Sequence, residues 1–365
     1  MTQKLEKLAD IIVDYSIKVQ KNECVLIQTY GDAPIEFVRI LLKKIINKGA
    51  AANVREINSE FQSIILENAI EKTYELSKSF TKYIVENFDS FIQIRNYSNT
   101  FESKNIPTEN HTKLGKITEK YNDIKINKRK WVLLDYPNTL GAYKSGMTNE
   151  EFFDYTINAM NYDYNKMSKD ILPLKKLMEK TDKVRIVSPD TDLTFSIKGI
   201  NVVECVGTCN LPDGEIFTAP IKKSVNGKIK YNIESNQRGM NFNDVTLEFK
   251  DGKIINATCT ESNEKLNEIF DTDEGSRYVG EFAIGFNPLV TKPMNNILYD
   301  EKINGSIHFT PGKCYDEASN GNKSSIHWDL VLVQTKEYGG GEIYFDDVLI
   351  RKDGKFVLDS LKQLN

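Results

Sequence analysis

The sequence predicts an α/β N-terminal domain with a mainly parallel sheet, joined to a β-rich α+β C-terminal domain. Three observations carry that expectation. The first half alternates short apolar runs with helix-length amphipathic stretches, and the second half sets Asn-Gly and Asp-Gly pairs between β-favouring runs. At 365 residues the chain also exceeds the roughly 250 to 300 at which one hydrophobic core stops growing. The expected division is 1-180 for the α/β domain and 181-365 for the β-rich domain, the latter carrying the chemistry.

Leu5, Leu8, Ile12, Tyr15 and Val19 recur at spacings of three and four, which marks one apolar face of an opening helix. Cys24-Val25-Leu26-Ile27-Gln28-Thr29 then reads as a buried strand. Pro34 stands at a helix start and Gly49 just past that helix's end. Further strands are expected around Ala52 to Ile57, at Phe91-Ile92-Gln93-Ile94 and at Trp131-Val132-Leu133-Leu134, separated by Lys/Glu-rich helical segments. That order is the signature of a parallel sheet with covering helices. Thr148-Asn149-Glu150-Glu151 has the form of a capping box, opening a helix with Phe152, Tyr155 and Met160. Pro173 should kink or divide the stretch from Tyr164 to Lys180. From about Val184 the character changes: Asn226-Gly227, Asp251-Gly252 and Asp353-Gly354 each predict a hairpin turn.

A formal net charge of −4 with 27% charged residues of both signs is too mild to favour nucleic acid or an anionic membrane as partner. No stretch approaches the roughly 20 apolar residues that span a bilayer, and the polar, acidic opening does not support a secretory signal. The five cysteines are odd in number and lack a framework spacing, so they read as free thiols, and a cytoplasmic location is expected. Gly339-Gly340-Gly341 lacks the residues of a phosphate loop and reads as a turn, and the parallel sheet has no GxGxxG. Asp190 and Asp192 read as turn residues, and His111 as a solvated helix-start residue.

Two of the chain's three histidines, His308 and His327, fall in its last fifth, and the second opens His327-Trp328-Asp329. In an extended strand residues two apart point the same way, so His327 and Asp329 converge on one point, as ligands of one metal must. Glu215 and Glu281 each follow a glycine and precede apolar residues, which sets a carboxylate at the mouth of a buried strand. Burying it there is costly without a counter-charge, which Arg277 or a divalent metal would supply. Three carboxylates and two imidazoles match the needs of two divalent ions when one carboxylate bridges them. The reaction class is then metal-assisted hydrolysis of an acyl bond.

Four stretches hold these residues: Asn210 to Pro220, Tyr278 to Phe282, Gly305 to Tyr315 and Asn320 to Asp329. They resemble the motifs of the dinuclear metallo-aminopeptidases known as aminopeptidase T, aminopeptidase S and aminopeptidase II. Asp182 to Ile186, Thr191 to Leu193, Met147 to Phe153, the opening helix and Val25-Leu26-Ile27 resemble that family too, so the likeness covers nearly the whole chain. The chain is shorter than expected of the family, and the segment between Tyr315 and His327 looks trimmed.

The resemblance implies Glu215, Glu281, His308, His327 and Asp329 as ligands of two divalent metal ions (Zn, Co or Mn), with Glu281 as the bridge and proton carrier. It implies Tyr315 as the donor that stabilises the oxyanion. It further implies hydrolysis of N-terminal residues from short peptides through a water activated by two metals, and a homodimer in which the N-terminal domain helps wall off the site. Two other readings stand beside it: a non-catalytic peptide- or metabolite-binding protein on the same scaffold, and a metallohydrolase of another amide or ester.

Overall fold

Strand β1 (Cys24–Gly31) is apolar on both faces because it lies inside a parallel sheet, with Val25, Leu26 and Ile27 all buried. The computed structural model describes residues 2–99 and 101–365, which divide into two compact units, one of residues up to 162 with 207–212, the other of 163–206 with 213–365. In the first unit β1 pairs in parallel with β2 (Ala51–Ile57) and β3 (Ser90–Asn96), and β3 pairs with β4 (Lys130–Asp135). A short fifth strand, Asn210–Leu211, arrives from much later in the chain and pairs with β4. Among the described residues β2 has one neighbour, and none of its own residues is buried, as suits an edge. Leu26 and Phe91 pack against Ile84 and Val85 of the helix Glu71–Asn87.

The opening helix departs from its predicted face in one respect. It runs Thr2–Asp10 and then widens into a π-helical turn at Ile11–Ser16. The extra residue in that turn rotates the apolar face, so Val13 and Ile17 are buried while Tyr15 is only half-buried. Lys18, at φ 44°, has already left the helix, and Val19 packs from beyond it. The capping box is formed: Thr148 Oγ1 accepts from Glu151 N at 3.2 Å and Glu151 Oε2 accepts from Thr148 N at 2.8 Å. Pro173 divides its stretch into the helices Tyr164–Asp170 and Leu172–Met178, the proline lying in the first turn of the second. Both helices belong to the second unit.

The second unit is a sandwich of two antiparallel sheets. The larger has eight strands, with Thr191–Ser196, Lys183–Ser188 and Glu342–Phe345 at its centre. The smaller has β5 (Val203–Cys205), β6 (Glu215–Thr218), β7 (Val279–Gly285), β8 (Ser306–Pro311) and β9 (Val331–Val333), ordered β9-β8-β7-β6-β5. Phe195 of the larger sheet meets Phe282 and Phe309 of the smaller at ring-centroid distances of 5.0 and 4.9 Å. Burying each such ring stabilises the sandwich by roughly 1.5–3 kcal/mol. Because side chains alternate along a strand, fixing Phe282 and Phe309 inward turns Glu281 and His308 to the opposite face.

Two of the three predicted hairpin turns form. Asp251 and Gly252 (φ 50° and 84°) and Asp353 and Gly354 (φ 48° and 78°) have the paired positive φ of a two-residue turn. Asn226-Gly227 does not: it lies within the strand Asn226–Lys230, where Gly227 at φ 111° sits against the neighbouring strand. A Cβ there would lie 2.2 Å from Asp192 O, so the glycine serves close backbone approach rather than chain reversal. A further hairpin turns at Asp346-Asp347 (φ 48° and 64°) without any glycine.

Replacing Gly227 by Ala is therefore expected to cost about 1–3 kcal/mol or more. Gly199→Ala, also at positive φ (73°) but with nothing near the added carbon, should cost about 1 kcal/mol. Chemical denaturation of the two variants checks this, and equal losses would remove the Asp192 carbonyl from the explanation.

Candidate metal centre

Antiparallel pairing on β6, β7 and β8 brings the acids and imidazoles of the site onto one face. Ala283 of β7 lies opposite both Phe217 of β6 and His308 of β8, and Gly285 lies opposite Glu215. A register shift between Val279 and Glu281 then sets Glu281 opposite Thr310. Gly280 permits this, because a Cβ there would meet Lys313 O at 2.3 Å and Gly312 O at 2.5 Å.

His327 and Asp329 reach the same place by a different route from the predicted strand. Among these residues the only ladder contact is a single bridge from His327 to Gly312. The segment instead runs loosely along β8, with Trp328 N donating to Pro311 O and Phe309 N to Leu330 O, each at 3.1 Å. Its approach is held from outside: Asp273 accepts from Ser325 N at 2.7 Å and from Ser324 Oγ at 2.9 Å, and Asn322 donates to Gly312 O at 2.7 Å. Partial burial opposes the charge of Asp273, but the bonds from Ser325, Ser324 and Ser276 hold its carboxyl well below the usual range. The short segment between Tyr315 and His327 is thus tightly tied.

The five expected ligands converge. Glu281 Oε1 lies 3.4 Å from His308 Nε2 while its Oε2 lies 3.2 Å from His327 Nε2. His327 Nε2 is 3.1 Å from Asp329 Oδ1, and His308 Nε2 is 3.7 Å from Glu215 Oε2. His327 Nδ1 donates to Lys313 O at 2.8 Å, since a carbonyl can only accept, and this aims Nε2 at the acids. Asp329 Oδ1 in turn accepts from Thr310 Oγ1 at 2.8 Å. Tyr315 packs its ring between Phe217 (5.5 Å) and His327 (4.8 Å). Partial burial, and then Glu281 and Asp329, push its phenol upward, so it stays a proton donor.

Sequence reasoning missed two participants. Glu301 joins Glu215 and His308 in one group able to hold an ion, while Glu281, His327 and Asp329 form a second. Lys302, fully buried, places its ammonium 2.6 Å from Glu215 Oε1, 2.5 Å from Glu301 Oε1 and 3.8 Å from Asp213 Oδ1. The available signal was Asp300-Glu301-Lys302 lying between Leu298-Tyr299 and Ile303, charges set in an apolar context. Arg277 plays no part in balancing Glu281: it bonds Asp271 (2.7 Å) and Asn267 (3.1 Å). His111 lies in the first unit, on a separate cavity with Tyr30 and Tyr97. Asp192 is paired with Arg185, and Asp190 and Gly339 are turn residues at positive φ.

The electrostatics follow from crowding. Burial disfavours the charged imidazoles, yet the surrounding carboxylates outweigh it and lift His308 to about 9 and His327 to about 12. Burial likewise opposes Glu281 and Asp329, and the imidazoles hold both below the ordinary carboxylate range. Glu215 Oε2 and His327 Nε2 are buried without a hydrogen-bond partner. Unsatisfied O and N donors facing one another suit a divalent cation, which would replace the protons that now balance the acids.

Removing Lys302 should leave Glu215, Glu301 and Asp213 uncompensated in the interior. Lys302→Met is expected to lower stability by about 3–5 kcal/mol, with partial recovery on adding Mn²⁺ or Zn²⁺. A loss under about 1 kcal/mol by chemical denaturation would show that the ammonium is not the counter-charge.

Comparison with known proteins identifies the family. The profile of the family described as thermophilic metalloprotease (M29) matches residues 1–356. Aminopeptidase AmpS of Bacillus subtilis is 26% identical over 369 residues, covering 90% of this chain and 89% of its own. Aminopeptidase 2 of Geobacillus stearothermophilus is 25% identical over 409 residues, covering 97% and 95%. Among solved structures, wild-type AmpT from Thermus thermophilus shares the fold, with a TM-score of 0.79 at 20% identity over 98% of this chain and 99% of that one. The chain belongs to the M29 family of thermophilic metalloproteases.

Proposed function

We propose that this metalloprotease is an aminopeptidase that removes N-terminal residues from short peptides, using two divalent ions, with a homodimer as its expected assembly. One observation carries the two-ion reading: the two oxygens of Glu281 face different imidazoles, His308 of one ligand group and His327 of the other. Glu215, Glu301 and His308 would hold one ion and Glu281, His327 and Asp329 the other. The mixed N/O donor set suits Zn, Co or Mn. The names of the relatives, all aminopeptidases, support the choice of substrate end.

Bound ions at this place supply Lewis acidity and a more acidic water. The chain's own groups do the rest. Glu281 takes the proton of the attacking water as its oxygen bonds to the carbonyl carbon, and then passes that proton to the leaving amine as the C–N bond of the tetrahedral adduct breaks. Tyr315, kept protonated, donates its phenol hydrogen to the oxygen of the scissile carbonyl as charge builds there. Thr310 and the Lys313 carbonyl hold Asp329 and His327 in place throughout.

Glu281→Gln should abolish release from amino-acid p-nitroanilides while leaving the folded state intact by circular dichroism. Tyr315→Phe should lower kcat about 10²- to 10³-fold with little change in KM. Chelation should stop release, and added Zn²⁺, Co²⁺ or Mn²⁺ should restore it. Metal-independent release, or none from any p-nitroanilide, would overturn the aminopeptidase reading.

A further inference from the structure

A cavity of about 250 Å³ opens directly beside His327 and Asp329 and extends to Glu234. It is small against the roughly 300 Å³ lower end of small-ligand sites, so it suits one side chain rather than a peptide. Part of its wall is apolar, formed by Ile233, Ile297, Val331 and Trp328. The indole is fixed there by its Nε1 donating to Ser235 Oγ at 2.8 Å and by stacking on Phe270 at 5.6 Å.

Glu234 adds a carboxylate to the wall. Glu234 Oε1 accepts from Asn295 Nδ2 at 2.5 Å and from Asn241 Nδ2 at 3.1 Å, and Oε2 accepts from Asn243 Nδ2 at 3.0 Å. These neutral amides aim the carboxylate without neutralising it. No lysine or arginine lines the cavity among the described residues. Asp300 also lines it, but its two oxygens are occupied by the backbone amides of Met294 and Asn296 at 2.6 and 3.0 Å. Asp300 is also buried and Asp329 belongs to the metal-ligand group, whereas Glu234 is only half-buried, so Glu234 is the carboxylate left for a cation.

We infer that this cavity receives the side chain of the substrate's N-terminal residue and that Glu234 selects lysine or arginine in it. The inference rests on the aminopeptidase reading. With the scissile carbonyl at the metal centre, the aliphatic stem runs along Ile233, Ile297 and Trp328, and the ammonium or guanidinium ends at Glu234. An acidic N-terminal residue would bring a second carboxylate beside Glu234, so the pocket rejects it as well as choosing its opposite.

The test compares kcat/KM for Lys-, Leu- and Glu-p-nitroanilide in the metal-loaded wild type, Glu234→Gln and Glu234→Lys. The wild type should prefer Lys to Leu, and Lys to Glu more strongly still. Glu234→Gln should reduce the Lys-over-Leu ratio about tenfold or more. Glu234→Lys should raise Glu relative to Lys, a gain that a merely misfolded variant cannot show. A Lys-over-Leu ratio unchanged within about twofold in Glu234→Gln overturns the inference. So does a parallel fall for all substrates, which would put Glu234 on the shared α-ammonium instead. If no p-nitroanilide is cleaved, the aminopeptidase reading fails on its own, and calorimetry with L-lysine and L-norleucine decides the pocket. Lysine binding better than norleucine, with the difference lost in Glu234→Gln, supports it; equal binding overturns it.

Discussion

The second unit is organised around one electrostatic constraint: carboxylates are packed on one face of a small sheet, and each charge there needs a cation within reach. Lys302 meets that need for Glu215, Glu301 and Asp213 from a fully buried position. Burial disfavours its ammonium, yet the three acids raise it well above its ordinary range. Such a cluster survives only where the scaffold is rigid, because moving one partner by a hydrogen-bond length exposes the others to an uncompensated interior. The sandwich provides that rigidity through the packing of Phe195, Phe282 and Phe309.

Much of this was legible in the sequence, for reasons that differ from element to element. β1, β3 and β4 announce themselves as short apolar runs between helical segments, because β1 and most of β3 are buried on both faces and β4 is buried on one face and half-buried on the other. Asp251-Gly252 and Asp353-Gly354 are read correctly because local backbone preference decides a two-residue turn. The same reasoning misplaces Asn226-Gly227, where the close approach of Asp192's carbonyl, a contact made across sequence, overrides the local signal. Asp346-Asp347 is missed for the complementary reason: the turn forms without glycine because the paired strands demand it.

The site shows the same division. Glu215, Glu281, His308, His327 and Asp329 stand out because rare imidazoles and glycine-flanked acids are unusual at strand mouths. Glu301 and Lys302 do not, since an adjacent Glu-Lys pair is the commonest sight on a solvated surface. Only tertiary packing shows that this pair is buried. His327 and Asp329 also converge without the regular strand that local reasoning assumed, held by Thr310, the Lys313 carbonyl and the Asp273 clamp on the preceding serines.

The two ligand groups are not equivalent, and the asymmetry has a direction. Glu215 and His308 are all but closed to solvent, with side-chain exposures of 7% and 2%, and Lys302 lies beneath them. His327 and Asp329, at 23% and 18%, line the same cavity as Glu234. Closed sites hold their ion firmly, whereas catalytic ones keep a position open for substrate. Lys302 adds to the difference, because a resident cation already shares the carboxylates of the inner group. The outer group has only imidazoles as its balancing charges, and these can give up their protons in exchange for a metal ion. The outer group is thus both the more open one and the one whose balancing charge is exchangeable, and Glu281 turns one oxygen toward an imidazole of each group.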